Sequence, residues 1–325
     1  MLLSVLAIVA GLVILIGGAE GLVRGASSLA ARLNVSPLVI GLTIVAFGTS
    51  APELTVNIVA AFKGSSELAI SNIVGSNTAN VLLILGLTAM VRTLKVKSST
   101  VWKEIPLALL GVCLVFIMGN DALFDGVGFN ALTRTDGITL MALMVIFLYY
   151  IFGLAKSEHN HASAKAKDDE KIKVYPTATA VGLTLGGLIA LVIGGRLLVT
   201  GAIDIAAAAG LSEALIGLTI VAIGTSLPEL ATSIVAALKG QSDIAVGNII
   251  GSVIFNVFWV LGLTSTITPL AFTSDINFDV LVSVGSMILL FVYMLIAGKR
   301  QLIRWEGASF VALYISYLVF LVYRG

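Results

Sequence analysis

The amino-acid sequence predicts an all-α polytopic membrane protein, with ten transmembrane helices arranged as two inverted five-helix repeats. Three observations lead there: a composition suited to a bilayer, ten apolar stretches of spanning length, and segments that recur 176 positions further along the chain. Of the 325 residues, 58% are hydrophobic and 11% are charged, whereas a soluble chain carries roughly 25% charged residues. Mean hydropathy is +1.07. A formal net charge of +1 offers no basic field for nucleic acid. The single cysteine, Cys113, lies in the apolar run VCLVF. It cannot form an intrachain disulfide and is expected as an inert buried thiol.

A span needs about 20 mostly apolar residues. The first stretch, 2–32, opens with the apolar run Met1–Ala19, which no Lys or Arg precedes and no small-residue cleavage site follows. A first transmembrane helix is expected there rather than a signal peptide. The second (36–61) and third (67–91) hold the polar motifs discussed below, the fourth (104–119) is short, and the fifth covers 136–155. The sixth (178–208) is long like the first, so both are expected to tilt. Both are glycine-rich (Gly17, Gly18, Gly21, Gly25; Gly186, Gly187, Gly194, Gly195), which permits close helix packing. The last four are 213–238, 243–268, 278–297 and 302–323. The polar stretch 156–177 reads as a linker between halves 1–155 and 178–325. Its His159 and His161 form an isolated HxH in a charged loop, expected to be solvated and without metal.

Fifteen Lys and Arg residues fall beside the turns after odd-numbered spans and three on the other side, with Arg196 left uncounted inside the sixth span. The positive-inside bias then puts both termini outside and the linker in the cytosol. The short linker and the lack of a targeting signal point to a prokaryotic inner (plasma) membrane.

Residues 38–54 (LVIGLTIVAFGTSAPEL) and 214–230 (ALIGLTIVAIGTSLPEL) are identical at thirteen of seventeen positions. The same offset aligns SNIVGSNTANVLLILGLT (71–88) with GNIIGSVIFNVFWVLGLT (247–264) without a gap. Five spans per half is an odd number, so the second half enters the membrane from the opposite side. Such inverted repeats place a substrate site near the midplane of secondary transporters.

The repeated motif carries the chemistry. Pro52 removes the hydrogen bond to the carbonyl of Gly48 in the middle of a span, and irregular backbone at that depth is tolerated only where buried or lining a cavity. Pro228 does the same after Gly224. Thr49 and Glu53, like Thr225 and Glu229, are four apart and share a helix face. Asn72, Ser76 and Asn80 form a polar stripe on the next helix, and Asn248, Ser252 and Asn256 form its twin. These groups offer only oxygen ligands, which favours calcium or sodium over zinc or copper. A carboxylate inside the membrane costs about 2.5 kcal/mol or more, and a cation or proton accounts for two of them. The acidic residues Glu20, Glu67, Glu104, Asp243 and Glu306 fall near span ends and are expected at the interface.

The motifs Gly48-Thr49-Ser50-x-Pro52-Glu53 with Gly75-Ser76-Asn77-x-x-Asn80, and Gly224-Thr225-Ser226-x-Pro228-Glu229 with Gly251-Ser252-x-x-x-Asn256, resemble the two alpha repeats (41–88 and 217–264) of the calcium/cation antiporter superfamily, in the prokaryotic-type sodium/calcium exchanger branch. The resemblance implies a diamond of ion sites on helices 2, 3, 7 and 8. Glu53 and Glu229 would share calcium, with Thr49 and Thr225 contributing carbonyls. Ser50, Ser226, Ser76, Ser252 and Asn80 would surround flanking sodium sites, and Ala46 and Ala222 match positions whose backbone carbonyls bind sodium. The first and sixth helices would slide across a rigid core. Asn256 stands where some members carry Asp, which gives the site one less potential charge and argues for potassium independence. Val253 replaces an Asn that Asn77 keeps in the first half. The expected function is exchange of Ca2+ for Na+ by alternating access, without a cofactor or enzymatic activity, in a chain acting as a monomer in the bilayer. Proton/calcium exchange on the same fold, a cation channel and an intramembrane enzyme are the alternatives; no His, nucleophilic Cys or metal-ligand triplet accompanies the glutamates to support the last.

Overall fold

An apolar chain in a bilayer satisfies its backbone amides internally by forming helices. In this computed structural model, which describes residues 2–161, 174–208, 222–296 and 300–324, helix α1 (Leu2–Leu33) and helix α7 (Thr177–Ala208) have 32 residues each. At 1.5 Å per residue each is about 48 Å long, more than the roughly 30 Å hydrocarbon layer. They pack together through glycines, though not the adjacent pairs that composition highlights. A Cβ on Gly18 would lie 2.9 Å from the backbone of Leu191, one on Gly187 2.6 Å from Leu22, and one on Gly194 2.6 Å from Leu15. Gly11, Gly25 and Gly201 are equally constrained, so the contact follows a seven-residue period on both helices. Gly17 and Gly186 meet nothing within 4 Å.

Six further helices are long and apolar enough to span: α4 (Ser66–Val91), α5 (Thr100–Met118), α6 (Arg134–His161), α10 (Ser242–Ile267), α11 (Ile276–Ile296) and α12 (Arg304–Arg324). Helices α2 (Pro37–Thr49) and α3 (Ala51–Phe62) meet at a 43° bend and make a ninth span if taken as one. The short α8 (Ala222–Gly224) and α9 (Leu227–Leu238) follow. The expected seventh span began at 213, and its residues 213–221 lie outside the described residues. So does most of the linker, including the side chains of His159 and His161; α6 itself continues six residues past the boundary expected at 155.

Burial identifies the centre. Of the most apolar window of each span, 78% is buried in α4 and 94% in α10, against 22–39% in the others. The π-helical turns Ala79–Leu85 and Phe255–Leu261 interrupt these two helices at matching points. The 176-residue offset recurs in the bounds of α3 and α9, α4 and α10, and in the left-handed turns at Gly64 (φ 72°) and Gly240 (φ 76°). Two small antiparallel ladders join the halves: β1 (Leu94–Lys95) pairs with β4 (Gln301–Leu302), and β2 (Ala131–Leu132) with β3 (Leu270–Ala271).

Two of the acidic residues expected at the interface are enclosed by protein. Glu104 is 0% and Glu306 3% exposed. Helix α5 begins at Thr100, four residues earlier than expected, through a π-helical turn that ends at Glu104, and the Tyr150 hydroxyl on α6 donates to the Glu104 carboxylate. Glu306 anchors the start of α12, where its Oε2 accepts the Ile303 N–H at 2.9 Å. Glu67 stays exposed, and Glu20 and Asp243 are part-exposed. Cys113 is part-buried rather than buried, because α5 turns only one face to its neighbours.

Candidate functional site

The two proline-containing breaks build the site. Pro52 and Pro228 occupy the second position of α3 and α9, where a missing N–H costs no helical bond. Ser50 (φ −80°, ψ 6°) and Ser226 (φ −91°, ψ 6°) link each new helix to the one before it. Glu53 and Glu229 therefore fall in the first turn of α3 and α9, where the helix dipole favours a carboxylate. Both are 0% exposed.

Each glutamate accepts one serine from each half of the chain. Glu53 Oε1 receives Ser76 Oγ at 3.5 Å and Ser226 Oγ at 3.4 Å. Glu229 Oε1 receives Ser252 Oγ at 3.3 Å and Ser50 Oγ at 3.4 Å. The two sets are related by the 176-residue offset, residue for residue. The distances are long for O–H···O bonds, so the hydroxyls hold the carboxylates loosely. Glu53 Oε2 and Glu229 Oε2 are buried and have no hydrogen-bond partner among the described residues. Buried carboxylate oxygens are ordinarily paired, so these four serines and two unpartnered oxygens form a donor set suited to a hard cation. Thr49 and Thr225 lie beside the glutamate of the opposite half.

The asparagines differ between halves. Asn256 Nδ2 donates to Asn77 Oδ1 at 3.0 Å, leaving its own Oδ1 unpartnered. Among the described residues Asn80 has no partner for either polar atom. The equivalent of Asn77 is Val253, which has no acceptor to offer. Ala46 is buried, and its carbonyl already accepts the Ser50 N–H (3.0 Å) and the Thr49 hydroxyl (3.3 Å). Thr49 can turn instead to Asn248 Oδ1 at 3.0 Å, which releases one lone pair of that carbonyl. Ala222 opens α8 at the edge of the described residues.

Asn72 and Asn248, expected as members of the polar stripes, act as clamps. Asn72 Nδ2 donates to Asn57 Oδ1 at 2.7 Å, and Asn57 Nδ2 to the Ala69 carbonyl at 3.0 Å. Asn248 Nδ2 donates to Ser233 Oγ at 3.1 Å. These bonds fix α3 on α4 and α9 on α10. Asn57 and Ser233 are site-supporting residues that the motif reading missed, while Asn77, quoted there as part of the motif, supports Asn256. Asn57 and Ser233 each lie four positions after a glutamate, on the same helix face, and that spacing was the available signal.

Fold and site together are those of a multi-pass membrane protein with a buried, oxygen-lined centre. The sodium/calcium exchanger protein family matches residues 3–153 and 179–323, and the chain belongs to that family. It is 40% identical to CaxA of Alkalimonas amylolytica over 98% of both chains. It is 31% identical to the sodium/calcium exchanger MaX1 of Methanosarcina acetivorans, over 96% of this chain and 97% of that one. Among solved structures it resembles the sodium-calcium exchanger NCX_Mj soaked with zero Na+ and Ca2+, with a TM-score of 0.80, 32% identity, and coverage of 98% of this chain and 99% of that one.

Proposed function

We propose that this protein exchanges Ca2+ for Na+ by alternating access, with both ions competing for Glu53 and Glu229. The observation that carries the reading is the crossed pattern of serine–carboxylate contacts, with one carboxylate oxygen of each glutamate left unpartnered among the described residues. Two carboxylates supply a charge of about −2, matched by one divalent or two monovalent ions. Ser50, Ser76, Ser226, Ser252 and the free amide of Asn80 flank them, with Thr49, Thr225, Asn256 and the Ala46 and Ala222 carbonyls as further oxygen donors. An empty cavity of that charge resists closure, so switching follows only neutralisation, and exchange results.

The full arrangement in this reading is ten spans in two inverted halves, the region from 213 to Leu238 being the seventh. Both termini face outward, the linker is cytosolic, and the membrane is the prokaryotic inner membrane. The α1–α7 pair, long and tightly packed, moves against the buried α4–α10 core to change access. A single chain holds the whole site.

The test is labelled calcium uptake into proteoliposomes loaded with sodium and diluted into sodium-free buffer. Uptake that needs the sodium gradient is the expected result. Uptake that ignores sodium and follows an imposed pH gradient would move the coupling ion to the proton, and ion-channel currents would remove the exchanger reading.

A further inference from the structure

A basic side chain in the middle of a membrane helix calls for an explanation. Arg196 is one, on α7. Its depth is fixed by two neighbours on the same helix: Leu188 lies against Gly48 and Val199 against Gly224, the glycines of the two broken turns. Arg196 sits between these levels. It lines a cleft of about 180 Å³ together with Thr200 of the same helix, Pro52 and Thr55 of α3, and Thr225 and Pro228 of the second break. Arg196 is exposed, and among the described residues no carboxylate pairs with it. Asp204, two turns further along, instead accepts from Ser4 at 3.4 Å.

The equivalent position in α1, 176 residues earlier, is Glu20. It carries the opposite charge and is tied down, by Arg24 and by Lys239 Nζ at 2.9 Å. Helices α1 and α7 thus match in their packing glycines, Gly11, Gly18 and Gly25 against Gly187, Gly194 and Gly201, and differ in charge sign at the equivalent residues Glu20 and Arg196. The cleft that Arg196 lines reaches Pro52 and Pro228, each one residue before a glutamate.

We propose that Arg196 weakens calcium binding when the site is open through this cleft, so that the two faces of the membrane meet different calcium affinities. The inference rests on the exchange function proposed above. A fixed positive charge beside a cation passage repels a divalent ion twice as strongly as a monovalent one at the same distance. Calcium arriving from the opposite face does not meet it. In the orientation given by the positive-inside bias, the Arg196 cleft opens outward, and its charge promotes calcium release to the exterior.

The experiment compares right-side-out and inside-out vesicles containing the full-length protein, measuring the half-saturating calcium concentration at each face. In the wild type it is higher at the Arg196 face. Arg196→Gln and, as a second neutral variant that keeps the stem, Arg196→Met lower it there by about tenfold and leave the opposite face as it was. Arg196→Lys retains the difference between faces. Equal shifts at both faces, or no shift in a protein that still exchanges calcium, overturn the inference and leave the exchange function standing. A wild-type protein that exchanges no calcium at either face overturns both.

Discussion

Asn80 and Asn256 occupy equivalent turns of α4 and α10, yet only Asn256 is tied, through Asn77. The cause is one substitution, Val253 in place of a second asparagine. Val253→Asn is therefore expected to give Asn80 Nδ2 a partner, as Asn77 does for Asn256, and to hold Asn80 Oδ1 ready for a bound ion. One hydrogen bond of about 1 kcal/mol corresponds to roughly a fivefold fall in the half-saturating sodium concentration, read from sodium competition against calcium binding. An unchanged competition curve would separate Asn80 from sodium. The glutamates, serines and Asn80 were legible because each stands at one offset within a duplicated motif. Asn57 and Ser233 were not: the amide of one half is a hydroxyl in the other, so comparing the halves conceals them, although both support the same helix pair. Nor does sequence reveal that the Ala46 carbonyl is already engaged twice, because that depends on how Thr49 turns.

At the scale of the helix, close approach separates glycines that matter from glycines that merely occur. Gly18→Leu or Gly187→Leu places side-chain atoms where the partner backbone lies within 3 Å, and is expected to destabilise the protein by about 1–3 kcal/mol. Gly17→Ala is expected to change stability by no more than about 0.5 kcal/mol. Thermal unfolding in detergent compares the two, and equal losses would refute the seven-residue contact line. Composition marked the doubled glycines; the period that includes Gly11 and Gly201 was present in the chain but emerges only once α1 and α7 are laid together. Helix α5 teaches a similar lesson. An acidic residue at a span end suggests a solvated side chain, whereas Tyr150 allows Glu104 to lie inside the protein. Tyr150→Phe leaves that buried carboxylate without its donor and is expected to cost about 1–3 kcal/mol, while the double variant with Glu104→Met recovers most of the loss. A single-variant loss that the second substitution fails to relieve would mean that the tyrosine acts through packing.

The molecule as a whole is interlocked. Each short ladder pairs a strand of one half with a strand of the other. Gly86 of α4 meets Gly307 of α12, and Gly262 of α10 meets Gly137 of α6. The site itself is completed only across the halves, since Ser226 reaches Glu53 and Ser50 reaches Glu229. Two halves that exchange partners in this way can change the exposure of a shared centre without dismantling it, which is what an alternating-access exchanger requires. Periodicity and the repeat point to a two-part plan, but the pairing of Ser226 with Glu53 and of Ser50 with Glu229 arises from tertiary contacts that no local pattern encodes. The central claim is that the two glutamates hold calcium jointly, and equilibrium binding of labelled calcium to the purified protein tests it most directly. Glu53→Gln and Glu229→Gln, each alone, are expected to weaken binding by at least about a hundredfold, with sodium displacing calcium from the unaltered protein. Either single variant binding calcium with wild-type affinity would contradict it.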